Sequence, residues 1–207
     1  MTLIREPVLM PIALADLKPT QITVGMREVD IKRKAWRERT RAKEREFLGR
    51  HMIPVVRGPK DHVYVVDHHH LALALHKEGV KDVLVTALAD LSKLDQATFW
   101  STMDARNWVH PFDDKGKRRG HKAIPKSLTD LVDDPFRSLA GELRRVGGFA
   151  KDIAPFSEFQ WADFLRGRIK RVAIEKDFSR ALEKALALAR SPDADYLPGW
   201  CGAAPED

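Results

Sequence analysis

One stretch, residues 62–75, changes character partway along and constrains the fold more than any other part of the chain. It begins with β-branched and aromatic residues, which is typical of a short buried strand. Four polar residues follow, and leucines and alanines then recur at helical spacing up to Gly79. A strand that passes into a helix through a polar turn exposes backbone N–H groups at the helix start. These groups and the helix dipole favour an anion, so we expect the functional site at this turn.

The neighbouring segments predict further strands. Residues 53–56 and 62–66 are extended runs separated by a Gly-Pro turn, which indicates a β-hairpin. Residues 80–87 are rich in β-branched side chains and predict another strand. Residues 8–14 are apolar but contain a proline, which predicts an edge strand. Together these patterns predict a small α/β unit over residues 1–90.

Residues 30–51 predict one long helix, because they contain good helix formers and many charges but few apolar positions. Such a helix has a narrow buried face and a wide basic face. The basic face is either simply solvated or directed at phosphates, and the sequence leaves both interpretations open.

The chain becomes mainly helical after residue 90. We expect a helical extension over residues 91–190 and a tail over residues 191–207, so the fold class is α/β (α+β) with an α-helical C-terminal half. Residues 110–124 are polar and contain prolines and glycines, which predicts a long loop. Long loops in compact domains are often functional.

Several signals mark helix ends in this half. Asp134-Pro135 is a typical helix start, and Gly147-Gly148 is a typical stop. Ser157 with Gln160 matches the capping-box pattern. Apolar residues between 174 and 189 recur at helical spacing, which predicts one last amphipathic helix.

Composition limits the partners. The formal net charge is +6, which favours phosphate-bearing partners such as nucleotides or nucleic acid. The single cysteine, Cys201, excludes a disulfide framework and a cysteine-rich zinc site, and it suits a reducing cytoplasm. No apolar run reaches membrane-spanning length, so we expect no membrane partner. The oligomeric state is left open.

The polar turn carries a resemblance to a known group. Asp67-His68-His69-His70-Leu71 resembles the motif of the ParB/sulfiredoxin superfamily, and the chain looks most like its compact ParB-like nuclease group. Members that phosphorylate free serine carry Asp-Gly-His-His-Arg at this point. Asp67, His69 and His70 match that pattern, whereas His68 replaces the glycine and Leu71 replaces the arginine.

The resemblance implies a small mixed-sheet ParB/sulfiredoxin-like domain that binds a nucleotide (ATP, ADP or CTP) together with Mg²⁺. It implies catalytic roles for Asp67, His69 and His70, with Asp67 as the metal ligand. The residues expected to contact the nucleotide are His68, His69, His70, Arg27, Arg57 and Lys60.

The segment upstream of the first helix extends the resemblance. Lys18-Pro19-Thr20-Gln21 is similar to the exit of the superfamily's first strand, and residues 25–29 lead into the first helix. The kinases of the superfamily use a glutamate in this region as catalytic base. By position that glutamate is Glu28. The alternative is that Glu28 only interacts favourably with the helix dipole.

The three consecutive histidines do not together predict a transition-metal site, and the remaining alternative is that one or two of them serve as ligands with Asp67. Neighbouring residues on a helix lie about 100° apart around its axis, so three consecutive histidines cannot all face one ion. Mg²⁺ is different, because it often binds one carboxylate together with ligand phosphates. Asp67 is therefore either a Mg²⁺ ligand or simply the N-cap of the helix.

Three functions remain open from the sequence. The first is nucleotide binding with phosphate transfer to a small hydroxylated acceptor. The second is a ParB-like nuclease or DNA-associated protein, although the helical half contains no identifiable recognition helix. The third is a binding module without catalysis. Sulfiredoxin chemistry is excluded, since it requires a reactive cysteine in the motif.

Overall fold

The computed structural model of the protein describes residues 10–203. Within them, the first half contains both strands and helices, and the second half is mainly helical. The strands are β1 (Met10–Ala13), β2 (Leu17–Lys18), β3 (Thr23–Val24), β4 (Ile53–Arg57), β5 (Val63–Val65), β6 (Asp82–Asp90) and β7 (Val132–Asp133). The α-helices are α1 (Met26–Arg37), α2 (Arg41–Arg50), α3 (His69–Lys77), α4 (Gln96–Ala105), α5 (Pro135–Arg145), α6 (Ser157–Arg166), α7 (Arg171–Lys176) and α8 (Phe178–Ala189). The predicted mixed α/β class is confirmed.

Five strands form one mixed sheet in the order β1-β6-β4-β5-β2. The β1–β6 and β4–β5 pairs are antiparallel, whereas β4–β6 and β2–β5 are parallel. The predicted hairpin of β4 and β5 is therefore confirmed. The predicted edge strand corresponds to β1, and residues 8 and 9 lie outside the described residues. β3 and β7 form a separate two-stranded sheet.

The helix after β5 is apolar nearly all round, and it is accordingly buried. Its five consecutive residues from Leu71 to Leu75 are each at most 7% exposed. A helix without a wide polar face has to lie inside the protein. Burying a leucine side chain contributes roughly 1.5–3 kcal/mol, so α3 is firmly anchored. Its first residues, and the turn before it, are held in place by this burial.

Contacts divide the described chain into two compact units. The first unit comprises residues 10–23 and 29–132, and the second comprises residues 24–28 and 133–203. The predicted organisation into residues 1–90, 91–190 and 191–207 remains a prediction.

The first unit contains the five-stranded sheet and α4. Phe99 and Met103 of α4 are completely buried and pack with Val56 and Tyr64 of the sheet. Asp95 begins α4, because its carboxylate accepts hydrogen bonds from the backbone N–H groups of residues 97 and 98.

The second unit is built around the completely buried indole of Trp161, which stacks on Phe149 with ring centroids 4.4 Å apart. Its Nε1–H donates to the carbonyl oxygen of Pro198 at 2.8 Å. Leu197 is also buried. The segment after Ser191 thus packs within this unit through Ala194 and Leu197.

Helix α5 begins and ends as the sequence predicts. The carboxylate of Asp134 accepts a hydrogen bond from Phe136 N, and Pro135 occupies the first turn. Gly147 adopts a φ of 81° just after the helix. Asp134 also accepts from the Nη2 of Arg166 at 2.7 Å, and it is 1% exposed.

Three predicted helix boundaries are wrong. Residues 30–51 form two helices, because the chain turns after α1 and brings Trp36 against Phe47, with ring centroids 5.9 Å apart. The last amphipathic segment is also two helices, separated at Asp177, whose carboxylate caps α8.

The capping box at residues 157 and 160 is the third wrong prediction. Ser157 is the first residue of α6, and the N-cap is Phe156, with a φ of 59° and no side-chain cap. The Phe156 ring instead packs edge-on against Phe159. No helix within residues 10–203 is long and apolar enough to cross a membrane.

Candidate functional site

The turn predicted to be functional lies at the carboxyl ends of two parallel strands. β2 and β5 pair in parallel, with Leu17 opposite Val63 and Lys18 opposite Tyr64. The segments that follow them, residues 19–21 and 66–68, therefore leave the sheet at the same edge. Ligands of open α/β sheets bind preferentially at the carboxyl ends of parallel strands.

A buried hydrogen bond joins the two segments. The backbone N–H of Thr20 donates to Nε2 of His69, the first residue of α3, at 3.1 Å. The Thr20 hydroxyl donates to the carbonyl oxygen of Val65 at 2.7 Å. Thr20 is 1% exposed and His69 is 4% exposed. His69 is thus an interior side chain that ties the exit of β2 to the start of α3.

The turn itself exposes Asp67 and His68, while His70 is half-buried. The Oδ1 of Asp67 accepts a hydrogen bond from His68 N at 2.6 Å. His68 is the N-cap of α3, has a φ of 66°, and makes no side-chain cap hydrogen bond. The interpretation of Asp67 as the N-cap is therefore wrong. The helix begins at His69, so the N-cap position belongs to His68. The positive end of the α3 dipole lies at this turn.

Gln21, next to Thr20, is the least expected residue in this region. It is 5% exposed, and its Nε2 has no hydrogen-bond partner among the described residues. A buried donor without a partner costs about 1–3 kcal/mol. Thr20 and Gln21 belong to the segment that carries the resemblance, but no local pattern places them in the site, because nothing in it indicates that a two-residue strand pairs in parallel with β5.

Two predicted basic residues lie elsewhere on the sheet. Arg57 pairs with Val63, the first residue of β5, whereas the polar turn follows the last. The guanidinium of Arg57 faces Asp61 at 3.3 Å and Asp90 at 3.5 Å. Lys60 belongs to the same connection between β4 and β5. The strand register therefore separates Arg57 and Lys60 from the turn that contains the histidines.

Glu28 and Arg27 are placed in the second unit, in the first turn of α1. Glu28 forms an ion pair with Arg145 of α5, and Arg145 also pairs with Glu142 at 2.6 Å. The guanidinium of Arg27 lies 4.0 Å from the centroid of the Phe178 ring. Their predicted roles as catalytic base and nucleotide contact remain predictions.

The Asp67 carboxylate is the group to which the sequence assigns Mg²⁺. No group of three or more His, Cys, Asp or Glu within the described residues could hold a metal ion. Mg²⁺ needs no such group when ligand phosphates supply the other oxygens. Asp67 is exposed, and among the described residues its carboxylate accepts only the hydrogen bond from His68 N. This carboxylate therefore fits the predicted role.

Ion pairs and hydrogen bonds hold the predicted long loop, residues 110–124, in place. Asp104 of α4 accepts from Arg118 at 2.8 Å and lies 2.8 Å from Nε2 of His121. The His121 ring stacks on Trp100, with centroids 5.1 Å apart. Arg119 pairs with Asp113 at 2.6 Å. Several basic side chains of the loop are thus used for its own structure.

Comparison with known proteins identifies the family. The family model described as "Putative ParB-like nuclease" matches residues 10–167 of the chain. The match covers the mixed sheet, the polar turn and most of the helical half, so the chain belongs to this family. The predicted resemblance to the compact ParB-like group is confirmed.

A solved structure agrees with this assignment. The chain is similar to the crystal structure of protein Atu1540 from Agrobacterium tumefaciens, with 56% sequence identity and a TM-score of 0.91. The alignment covers 97% of this chain and 100% of that chain. The search of curated proteins found no match.

Proposed function

We propose that the protein binds the phosphates of a nucleotide where the exits of β2 and β5 meet, and that it acts on those phosphates. The observation that carries the proposal is the buried hydrogen bond from Thr20 to His69, which joins two polar segments at the carboxyl ends of parallel strands. Such an edge, together with the positive end of a helix dipole, is a favourable place for an anion.

We assign a separate role to each polar residue of the turn. Asp67 would hold Mg²⁺ through its carboxylate, and the bound ion would supply positive charge against the phosphates. His68 and His70 contact phosphate oxygens from the turn. Leu71 stands where related kinases have arginine and is 7% exposed, so another cation has to replace that arginine. Lys18, the half-buried last residue of β2, is our candidate.

The proposed reaction is phosphate transfer to a small hydroxylated acceptor. The acceptor oxygen forms a new bond to the terminal phosphorus and gives its proton to a base, while the bond from that phosphorus to the bridging oxygen breaks and the shortened nucleotide leaves. By resemblance the base is Glu28. A base at this step contributes to turnover rather than to nucleotide affinity.

Calorimetric titration with ATP, ADP and CTP, with and without Mg²⁺, tests the binding site. We expect Asp67→Asn to weaken Mg²⁺-nucleotide binding at least tenfold. Asp61→Asn is the matched control, since Asp61 is an exposed aspartate at the other end of β5. Equal effects of the two changes, or no binding of any nucleotide to the wild type, would contradict the proposal.

Turnover is measured separately with a panel of hydroxylated acceptors. Glu28→Gln should retain nucleotide affinity and lose most of the phosphate transfer. Nucleotide binding without transfer by the wild type would instead indicate a binding module that does not catalyse a reaction.

The second candidate is a nuclease, and the observation that favours it is the description of the family itself. Hydrolysis of a phosphodiester would use the same Mg²⁺ and phosphate contacts, with water in place of the acceptor hydroxyl. The exposed basic residues Lys43, Arg45 and Arg50 on α2 would suit a nucleic-acid backbone. Mg²⁺-dependent cleavage of DNA or RNA that Asp67→Asn abolishes would establish this alternative.

A further inference from the structure

We infer that His69 is a positioning residue rather than a catalytic one: its ring proton is on Nδ1, and its Nε2 holds the segment after β2 against the start of α3. The effect on ligand binding rests on the proposed function. The position of the proton and the attachment of the segment are properties of the free protein and can be tested without any ligand.

The position of the ring proton follows from the donor. A backbone N–H can only donate, so the Nε2 that faces Thr20 N at 3.1 Å has to accept and carries no proton. The remaining ring proton is then on Nδ1.

The Thr20 hydroxyl does not compete for Nε2. It has one hydrogen, which it donates to the carbonyl oxygen of Val65 at 2.7 Å. Its 3.3 Å approach to Nε2 of His69 is therefore a contact between two acceptors rather than a second hydrogen bond. The backbone N–H of Thr20 is the donor that orients the imidazole.

Burial makes the hydrogen bond between Thr20 and His69 important. Thr20 and His69 are both at least 95% buried, so water does not readily replace either partner. Removing the acceptor would leave the Thr20 N–H buried without a partner, which is more costly than losing an exposed hydrogen bond. The segment after β2, residues 19–21, would then move, and the positions of Lys18 and of the buried Gln21 amide would change with it. Because His69 is 4% exposed and its Nε2 is occupied by Thr20 N, His69 acts on a ligand through the Thr20 segment.

The position of the proton is tested by ¹⁵N NMR of the histidine rings in the free, full-length protein. We expect an unprotonated, pyridine-type Nε2 and a protonated Nδ1 for His69. The exposed His62 serves as the comparison and should show a mixture of both forms. A proton on Nε2 of His69, or the mixture seen for His62, would overturn the inference.

Two variants test the attachment. His69→Gln can still present an acceptor near the position of Nε2, whereas His69→Leu cannot. We expect hydrogen exchange of the Thr20 amide to be at least tenfold faster in His69→Leu and within about threefold of the wild type in His69→Gln. Equal exchange in all three proteins would show that His69 does not hold the segment.

Ligand binding then connects this role to the site. If the wild type binds Mg²⁺-ATP, His69→Leu should weaken this binding at least tenfold. His69→Gln should retain most of the wild-type affinity and the turnover. Loss of turnover in His69→Gln with unchanged affinity would show a catalytic histidine and contradict the inference. If the wild type binds no nucleotide, the proposed function fails, and the NMR and exchange results still decide the inference.

Discussion

At the scale of single residues, His68 combines an unusual backbone conformation with an exposed side chain. Its φ of 66° lies in the left-handed region, which glycine adopts without strain and a residue with a Cβ does not. The Asp-Gly-His-His-Arg motif that residues 67–71 resemble has glycine at this point. The structure thus explains why glycine suits the position, and the chain keeps an imidazole there at a conformational cost.

We expect His68→Gly to stabilise the protein by about 0.5–1 kcal/mol, because relief of the left-handed strain exceeds the added entropy of the unfolded chain. His62→Gly is the control, since His62 has an ordinary φ of −67° and should lose stability. Urea denaturation measures both differences. A loss of stability in His68→Gly similar to that of His62→Gly would show that the backbone at residue 68 is not strained.

Gly25 is a second residue that the surrounding structure restricts. A Cβ at this position would lie 2.6 Å from Oγ and 2.7 Å from the backbone nitrogen of Ser138. Backbone cannot move aside as easily as the end of a flexible side chain. The first turn of α1 therefore approaches α5 closely only because residue 25 has no side chain.

Gly25→Ala should destabilise the protein by about 1–3 kcal/mol through this overlap. Gly49→Ala is the matched control: nothing lies within 4 Å of a Cβ there, and the residue is inside α2, where alanine is favoured by about 0.5–1 kcal/mol. The two variants should therefore shift the thermal midpoint in opposite directions. Shifts in the same direction would contradict the assignment of Gly25 to a close contact.

At the scale of secondary-structure elements, one carboxylate connects α1 to the end of α3. Glu78 accepts hydrogen bonds from Nε of Arg37 at 2.6 Å and from Nε of Arg33 at 2.7 Å. The hydrogen bond from Arg37 is the largest influence on Glu78 and, with that from Arg33, lowers its pKa to about 2, although desolvation acts in the opposite direction. The end of α3 opposite to the candidate site is thus fixed electrostatically.

This pKa predicts a pH dependence of stability. Because the pKa of Glu78 is lower in the folded protein than its ordinary value of 4.5, the contact stabilises the fold above about pH 4.5, and this contribution is lost as the pH falls towards 2. The free energy of unfolding should therefore be lower in Glu78→Gln than in the wild type at pH 7, and the two should converge in acid.

Glu183→Gln, which changes an exposed glutamate of α8, is the control and should match the wild type at every pH. Urea denaturation at a series of pH values measures these differences. A constant difference between Glu78→Gln and the wild type down to pH 2 would show that the ion pair is not its source.

At the scale of the whole molecule, net charge separates the two candidate functions. The chain has 36 lysines and arginines against 30 aspartates and glutamates, an excess that attracts polyanions without specifying a site. Binding to a nucleic-acid backbone releases many counterions, whereas binding a single nucleotide at one turn releases few. A steep salt dependence of the ligand affinity therefore indicates nucleic-acid binding, and a shallow one indicates binding of a single nucleotide.

If the protein binds DNA through α2, affinity should fall steeply with salt, and Arg45→Gln should reduce the slope of log K against log salt by about one. Lys176→Gln, which changes an exposed lysine on α7, should leave the slope unchanged. Fluorescence anisotropy of a labelled duplex provides the measurement. Identical slopes for all three proteins would exclude α2 as the contact surface.

Local patterns in the sequence were sufficient to predict several secondary-structure elements. Alternation and turn residues predicted the β4–β5 hairpin, and an Asp-Pro pair predicted the start of α5. The polar turn between β5 and α3 was located because strand and helix patterns meet there, and its motif indicated the family. These features depend on residues close together in sequence, where periodicity and capping preferences act.

Only the tertiary structure decided how the site is assembled. The parallel pairing of β2 with β5 brings Thr20 to His69, 49 residues away, and the same strand register separates Arg57 from the turn. Glu28 meets Arg145 across 117 residues. Periodicity carries no information about such partners, because they are chosen by the packing of whole elements. The sequence by itself therefore determined where the polar turn lies, and the fold determined which residues surround it.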